Sequence, residues 1–367
     1  LKGDDVVKMN YEAIDRGVTG VVKVDVPASW KDCVDEGLLK PVTKENRDGR
    51  TLNDAEAVEF ANKVQIPVTM QEGDKLPVST FEKYADGATP HGTSSFERRN
   101  TAVDVPKWNP ENCIQCNQCA FVCPHAVIRP LVLTEEEKAA APEGTNTIPM
   151  MGMPDKSFGI TISTEDCMGC GSCANVCPGK MGNKALVMTP NEDIPKSEQK
   201  TFDWGKTLPV KKDVLEKFKP ETVKGSQFKK PLLEFSGACA GCGETPYVKL
   251  VTHLFGERLL IANATGCSSI WGNSSPSTPY TANDDGRGPA WANSLFEDNA
   301  EFGFGMEVGM KLRREALGNK VFKLMEETDS DILRETGKKY LDTYDVGKDN
   351  FEATNEFVAA LEASDKD

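Results

Sequence analysis

Histidine is scarce in this sequence, and long apolar runs are absent. Only three histidines occur among 367 residues, namely His91, His125 and His253. We interpret all three as structural residues, so the sequence offers no evident general base for acid–base catalysis. No stretch of 18 apolar residues occurs, and no apolar signal region opens the chain. We therefore expect neither a membrane span nor a secretory signal.

Positive charge is also in deficit. The chain has 43 basic and 57 acidic side chains, which give a formal net charge of −14. Phosphate backbones and anionic lipid headgroups repel an acidic protein, so we expect neither nucleic acid nor a membrane as a partner. The length predicts two or three domains.

Cysteine, by contrast, is abundant, and most of it follows one repeated pattern. Eight of the 12 cysteines form two copies of C-x2-C-x2-C-x3-C-P. This run is typical of ferredoxins that bind two iron–sulfur clusters, in which the fourth cysteine of each run binds the other cluster. We therefore predict two [4Fe–4S] clusters with crossed ligands. The ligands of the first are Cys113, Cys116, Cys119 and Cys177; those of the second are Cys167, Cys170, Cys173 and Cys123.

Two other uses of these cysteines fit the pattern less well. A disulfide framework needs an oxidising compartment, and a chain of this length can build a core without disulfides. Structural zinc sites use paired C-x2-C without the additional x2-C-x3-C-P. Thiolate-bound clusters fit a reducing interior, so we expect a cytoplasmic location.

Three further cysteines suggest a third metal site. Cys239 and Cys242 form a C-x2-C before a predicted helix, and Cys267 follows the next predicted strand. In an open α/β unit, such loops meet at the carboxyl edge of the sheet, where ligands bind. Three thiolates there indicate a third cluster that lacks one ligand. A redox C-x2-C beside an unrelated cysteine remains the alternative. The last cysteine, Cys33, is interpreted as a free thiol.

The remaining sequence predicts an α+β and α/β multidomain protein. Near the start, residues 6–17 have helical spacing and residues 21–26 alternate like a strand. A helix is predicted near residues 54–63, and residues 134–156 are interpreted as a surface loop between the two halves of a β-α-β repeat. From about residue 213 we predict an α/β segment. It contains a helix that starts at Thr245, with Val248, Val251 and Leu254 on one face, then a buried strand over 259–262 and several amphipathic C-terminal helices.

Five stretches carry a resemblance to a known family. They are ENCIQCNQCAFVCPHA (111–126), DCMGCGSCANVCP (166–178), FSGACAGCGETPY (235–247), ATGCSSIWG (264–272) and GPAWANSLFEDNAEFGFGM (288–306). With these stretches the chain closely resembles an internal part of the pyruvate:ferredoxin (flavodoxin) oxidoreductases, and the resemblance is weakest over 31–70 and after 310.

The resemblance implies a function and a set of cofactors. The family oxidatively decarboxylates pyruvate on thiamine diphosphate with Mg²⁺, transfers the acetyl group to coenzyme A, and sends electrons singly through three [4Fe–4S] clusters to ferredoxin or flavodoxin. It implies that Cys239, Cys242 and Cys267 bind the proximal cluster, that Glu244 and Cys267 contact thiamine diphosphate, and that Asn10 matches a coenzyme A contact. It also implies a homodimer for the full enzyme.

The resemblance further implies four regions. These are the end of a coenzyme A-binding domain (1–55), a linker or small domain (56–100), a ferredoxin-like domain with two [4Fe–4S] clusters (101–212) and the N-terminal part of an α/β thiamine diphosphate-binding domain (213–367).

The chain also departs from the family in two ways. No cysteine follows Cys267 to supply the fourth proximal ligand, and the family's Gly-Asp-Gly magnesium motif is missing. We therefore expect a segment of a larger oxidoreductase that does not decarboxylate pyruvate alone. The alternative is a stand-alone electron carrier whose thiamine-domain remnant docks a partner.

Overall fold

The structure is a computed structural model that describes residues 3–32 and 54–364. The chain divides into two compact units, Leu1–Pro41 and Val42–Asp367. The predicted free thiol, Cys33, lies outside the described residues.

The first unit contains one long helix and no described strand. Helix α1 covers Asp4–Thr19, which confirms the helix predicted over 6–17, and a 3-10 helix covers Ala28–Asp32. The strand predicted over 21–26 is wrong, because these residues form no regular element and their valines are exposed. An alternating sequence forms a stable strand only where neighbouring strands pair with its backbone. The described part of this unit provides no such neighbour.

The second unit opens with a helix that changes its winding. Helix α2 (Asp54–Phe60) continues through a π-helical turn (Ala61–Gln65) into α3 (Ile66–Thr69), which confirms the predicted helix near 54–63. Pro67 has no N–H for the carbonyl four residues earlier, which accounts for the local change of winding. Short 3-10 helices follow at Gly73–Lys75, Val78–Tyr84 and Thr93–Phe96.

Two antiparallel strand pairs frame the cysteine motifs. Strand β1 (Asp104–Trp108), before the first motif, pairs with β5 (Leu186–Pro190), after the second. Strand β2 (Ile128–Leu133), after the first motif, pairs with β4 (Ser157–Ile162), before the second. Because each pair joins one strand from each half, the two cysteine motifs are brought together.

Each cysteine motif ends in a short helix. Helix α4 (Gln118–Val122) contains the third cysteine of the first motif, Cys119, and α6 (Ser172–Val176) contains the third cysteine of the second, Cys173. The two helices pack against each other. The core beneath them includes Val105, Phe158 and Phe202, each fully buried.

The insert between the two halves is more ordered than a surface loop. Helix α5 (Glu135–Ala140) starts at Thr134, whose side chain and that of Glu137 cap each other's backbone N–H groups. Strand β3 (Ile148–Pro149) then extends the sheet in the order β2-β4-β3. The loop interpretation of 134–156 is therefore wrong in part, because this capping box nucleates a helix.

The helix that starts at Thr245 does not bury the face expected from its sequence. It is the last of four helices, which are α7 (Ser197–Gly205), α8 (Lys212–Lys217), α9 (Val223–Ser226) and α10 (Thr245–Phe255). Its start at Thr245 is as predicted, and Val248 and Leu254 are partly buried while Val251 is 40% exposed. Lys249, Thr252 and His253 are buried more completely, so the neighbours of α10 cover a polar face better than the apolar one.

A small parallel sheet follows α10. Strand β6 (Leu260–Ala264) pairs with β7 (Ala290–Ser294), and between them lie α11 (Cys267–Ser269) and a π-helical turn (Ile270–Ser274). The strand predicted over 259–262 is present, but it is not buried, since Leu260 is 46% exposed. Hydrophobic residues are buried instead around Leu233, Trp271 and Tyr280.

Three helices follow β7, in agreement with the predicted amphipathic helices. They are α12 (Asn299–Glu327), α13 (Asp331–Asp342) and α14 (Gly347–Ser364). They pack around Val321, Leu333, Tyr340 and Phe357. Among the described residues, no helix has the length and apolar character needed to cross a membrane.

Candidate iron–sulfur sites

The first group of four thiols lines one cavity. We call it site 1, and it comprises Cys113, Cys116, Cys119 and Cys177. The walls of this cavity include Trp108, Ile160 and Leu186. Three cysteines of the first motif and the last cysteine of the second thus face a shared cavity.

The second group mirrors the first. We call it site 2, and it comprises Cys123, Cys167, Cys170 and Cys173. Its cavity is also lined by Pro106, His125 and Met188. The structure therefore groups the thiols in the crossed arrangement expected from the sequence, and the metal assignment itself stays a prediction.

Left-handed backbone positions shape both cysteine loops. Gln115 and Asn117 have φ of 56° and 60°, and at the same places in the second motif Gly169 and Gly171 have φ of 66° and 73°. The turns aim backbone N–H groups at sulfur: Gln115 donates to Cys113 Sγ and Gly169 to Cys167 Sγ, each at 3.4 Å. Such N–H···S bonds help set the potential of a bound cluster.

Burial opposes ionisation of these thiols in the absence of a cation. It raises the pKa of Cys167 to about 12, and it raises the pKa of Cys119 and Cys173 well above the usual value, with neighbouring thiols adding to the effect. A bound cation would supply the counter-charge that thiolates in such a setting require. Within residues 3–32 and 54–364, no His, Cys, Asp and Glu side chains group closely enough for a single metal ion.

The third set of cysteines lies on two loops. Cys239 and Cys242 precede α10, and Cys267 is the first residue of α11. Cys239 and Cys267 are exposed, whereas Cys242 is partly buried beside Trp271. Glu244 accepts a hydrogen bond from Trp271 Nε1 at 3.3 Å, so its carboxylate is held beside the segment that follows Cys267. The roles of these cysteines and of Glu244 stay predictions.

The Cys239–Cys242 loop lies against site 2. A Cβ atom placed on Gly241 would stand 3.6 Å from the Cβ of Cys170. His125, which lines site 2, is buried, and its Nδ1 lies 3.0 Å from the carbonyl oxygen of Ser236. Burial lowers the pKa of His125, which keeps the ring neutral. The loop that carries Cys239 and Cys242 is thus next to site 2.

Asn10, the predicted coenzyme A contact, lies exposed on α1 in the first unit, and its role stays a prediction.

Lys249 was not predicted from the sequence as a site residue, although its amine reaches the backbone between sites 1 and 2. A lysine between Val248 and Leu250 in a predicted helix was the available signal, because buried lysines need specific partners.

Comparisons with known proteins agree with this geometry. A family model described as a 4Fe-4S dicluster domain matches residues 112–181, and one described as a domain of unknown function (EKR) matches residues 48–102. The chain is 48% identical to pyruvate:ferredoxin oxidoreductase of Moorella thermoacetica over 99% of its length, and 46% identical to pyruvate-flavodoxin oxidoreductase of Enterobacter agglomerans over 97%. It is 40% identical to the mitochondrial pyruvate dehydrogenase [NADP(+)] of Euglena gracilis over 98%.

The similarity covers nearly all of this chain but only part of each relative. The chain spans 29% of the two bacterial proteins and 19% of the Euglena protein. The chain is therefore homologous, over nearly its whole length, to one segment of the pyruvate:ferredoxin and pyruvate-flavodoxin oxidoreductases, and it contains a 4Fe-4S dicluster domain.

Proposed function

We propose that this chain is the electron-transfer portion of a pyruvate:ferredoxin (flavodoxin) oxidoreductase. The observation that carries the proposal is the crossed grouping of eight thiols around two cavities. The similarity to named oxidoreductases over 99% of the chain supports the reaction to which these sites contribute.

Each group of residues has a distinct task in this proposal. Bound [4Fe–4S] clusters supply one-electron chemistry. The four thiolates of site 1 and the four of site 2 hold the clusters, and α4 and α6 keep the two cavities adjacent. The buried walls exclude water, and the N–H groups of Gln115 and Gly169 stabilise negative charge on sulfur.

The contacts favour one order of electron transfer. The Cys239–Cys242 loop lies against Cys170 of site 2, and site 2 is joined to site 1 by α4 and α6. Electrons would therefore enter at site 2 and leave from site 1. Ile114 lines the site 1 cavity and is 41% exposed, so this site has an edge that a ferredoxin or flavodoxin can approach.

The remaining cofactors belong to the whole enzyme. We assign Cys239, Cys242 and Cys267 to a proximal cluster that needs a ligand from elsewhere, and Glu244 and Cys267 to thiamine diphosphate with Mg²⁺. Asn10 is assigned to coenzyme A. A homodimer and a cytoplasmic location complete the proposal, since thiolate-rich sites persist in reducing compartments.

A stand-alone electron carrier is the second interpretation, and the comparisons do not favour it. The similarity is not confined to residues 112–181 of the dicluster domain but extends over nearly the whole chain. Selection for a free carrier would not require the segments that flank the dicluster domain to keep their likeness to the oxidoreductases.

Iron analysis and paramagnetic resonance test the proposed sites. We expect the reconstituted chain to hold about eight irons and as many sulfides, with signals of two interacting clusters after reduction. About twelve irons would mean that the third cluster assembles here as well. Iron below about four per chain would contradict the proposal.

The left-handed backbone at Gly241 predicts that a side chain at this position destabilises the Cys239–Cys242 loop. Gly241 has φ of +71°, a conformation that costs an L-residue about 1–2 kcal/mol. We expect Gly241→Ala to destabilise the chain by about that amount, measured by urea unfolding. Gly243→Ala is the matched control, because Gly243 has no positive φ and no neighbour within 4 Å of the added Cβ. Equal effects of the two substitutions would contradict the prediction.

A further inference from the structure

Lys249 occupies an unusual position for a lysine. It lies on α10 and is 1% exposed. Its Nζ donates hydrogen bonds to the carbonyl oxygens of Ala120 at 2.5 Å and Cys123 at 2.7 Å. A buried ammonium is costly unless hydrogen bonds and negative charge compensate it. The two carbonyls supply the hydrogen bonds, so the compensating negative charge must come from other groups.

The two carbonyls belong to the connection between sites 1 and 2. Helix α4 carries Cys119 of site 1 and ends at Cys123 of site 2. The carbonyls of the last helical turn lack α-helical partners; that of Ala120 accepts from Cys123 N–H at 3.3 Å as well as from Lys249. Lys249 therefore caps the helix of the first motif that touches both cavities, and its charge interacts with Cys119 of site 1 and Cys123 of site 2.

Helix α10 also connects this position with the third set of cysteines. It begins at Thr245, next to Glu244 and three residues after Cys242. Lys249 comes five residues after Glu244, a rise of about 7.5 Å along the helix axis. Helix α10, which starts at the Cys239–Cys242 loop, thus places the ammonium group of Lys249 at the connection between sites 1 and 2.

A lysine also binds carbonyl oxygens near the end of the helix in the second motif, but this lysine is exposed. Lys184 Nζ donates to the carbonyl oxygens of Ala174 and Asn175, near the end of α6. Helix α6 carries Cys173 of site 2 and ends at Cys177 of site 1. Lys184 is exposed, so water and salt screen its charge, whereas that of Lys249 acts through the interior.

We propose that Lys249 is a potential-setting residue, whose buried ammonium favours the reduced state of the clusters in sites 1 and 2. The proposal rests on the proposed function, because it requires both clusters. Each electron taken up adds one negative charge to a cluster and its four thiolates, and no bond to lysine forms or breaks. A fixed positive charge nearby stabilises that added charge, most strongly where water is excluded.

The test is a redox titration of the iron-loaded full chain, followed by paramagnetic resonance with dithionite as reductant. We expect Lys249→Met to lower the ratio of reduced to oxidised cluster about tenfold at a fixed potential, equivalent to about 59 mV for a one-electron couple. Lys249→Gln keeps a hydrogen-bond donor without the charge and should give a similar shift. Lys184→Met, the matched control, should change the ratio less than twofold.

The results distinguish an effect of the Lys249 charge from a failure of the sites to hold clusters. Fewer than about four irons in the unsubstituted chain would overturn the proposed function itself. Unchanged potentials in Lys249→Gln with full iron content would overturn the role of the charge. Loss of iron from both Lys249 variants, with Lys184→Met intact, would overturn the proposal and leave Lys249 a structural cap. A similar shift in Lys249→Gln and Lys249→Met, with little shift in Lys184→Met, supports it.

Discussion

Replacing Cys177 by alanine is expected to remove the cluster of the first motif, although Cys177 belongs to the second. Site 1 takes its fourth thiol from Cys177, so the substitution leaves three thiolates around that cavity. Site 2 keeps all four of its thiols. We expect iron to fall from about eight toward about four per chain, with one of the two reduced-state signals lost.

A comparison among four variants makes this prediction independent of which signal belongs to which site. Cys177→Ala should give the same spectrum as Cys113→Ala, because both lack a ligand of site 1. Cys123→Ala should match Cys167→Ala, since both lack a ligand of site 2. If Cys177→Ala instead resembled Cys167→Ala, each motif would bind its own cluster, and the crossed assignment would be wrong.

Replacing Arg129 by methionine is expected to have the largest effect on stability. Arg129, on β2, forms an ion pair with Glu234, and their side chains are 15% and 10% exposed. The neighbours of Glu234 in sequence, Leu233 and Phe235, belong to two different hydrophobic clusters. Removing one partner of a buried ion pair costs about 3–5 kcal/mol, because the other charge is left in the interior. We expect urea unfolding to show a loss of that size.

An exposed pair provides the control for Arg129. Arg334 pairs with Asp331 at 2.8 Å, with side chains 45% and 97% exposed. Pairs of this kind contribute about 0–1 kcal/mol, so Arg334→Met should be nearly neutral. A loss below about 1 kcal/mol for Arg129→Met would show that Lys206 and Lys230, which also act on Glu234, suffice to hold its charge.

The pH dependence of this loss follows from the ionisation of Glu234. Burial alone would raise the pKa of Glu234, but the charges of Arg129, Lys206 and Lys230 outweigh it and lower the pKa below its usual value. The ionised pair therefore stabilises the fold above the unfolded-state pKa of about 4.3 and less as pH falls through the lower folded-state pKa. We expect the difference between the unsubstituted chain and Arg129→Met to shrink in acid.

The candidate sites were largely predictable because their chemistry is local. The spacing of cysteines within each motif specifies a loop that can surround a cluster, and the proline after each fourth cysteine marks where the motif ends. The positive φ at Gln115 and Asn117 was not predictable, since glycine occupies the matching places only in the second motif. These two residues keep the same turns at the conformational cost that a side chain imposes.

The parts that sequence reasoning missed depend on distant neighbours. Residues 21–26 alternate like a strand but have no partner in the described part of their unit. The buried face of α10 is polar because α4 offers carbonyl acceptors to Lys249, more than 120 residues away in sequence. The spacing of apolar residues indicates which residues share a face of a helix, but the elements packed against the helix determine which face is buried.

The exchange of one cysteine between the motifs makes the two halves of this domain interdependent. If the backbone were cut within the insert, at the exposed Glu143 and Gly144, each piece would keep three ligands of one site and one of the other. Neither piece could fill a site alone, whereas the two together hold all eight thiols. If the sites bind iron as proposed, a filled site requires that both halves of the domain are folded against each other, because each site takes thiols from both.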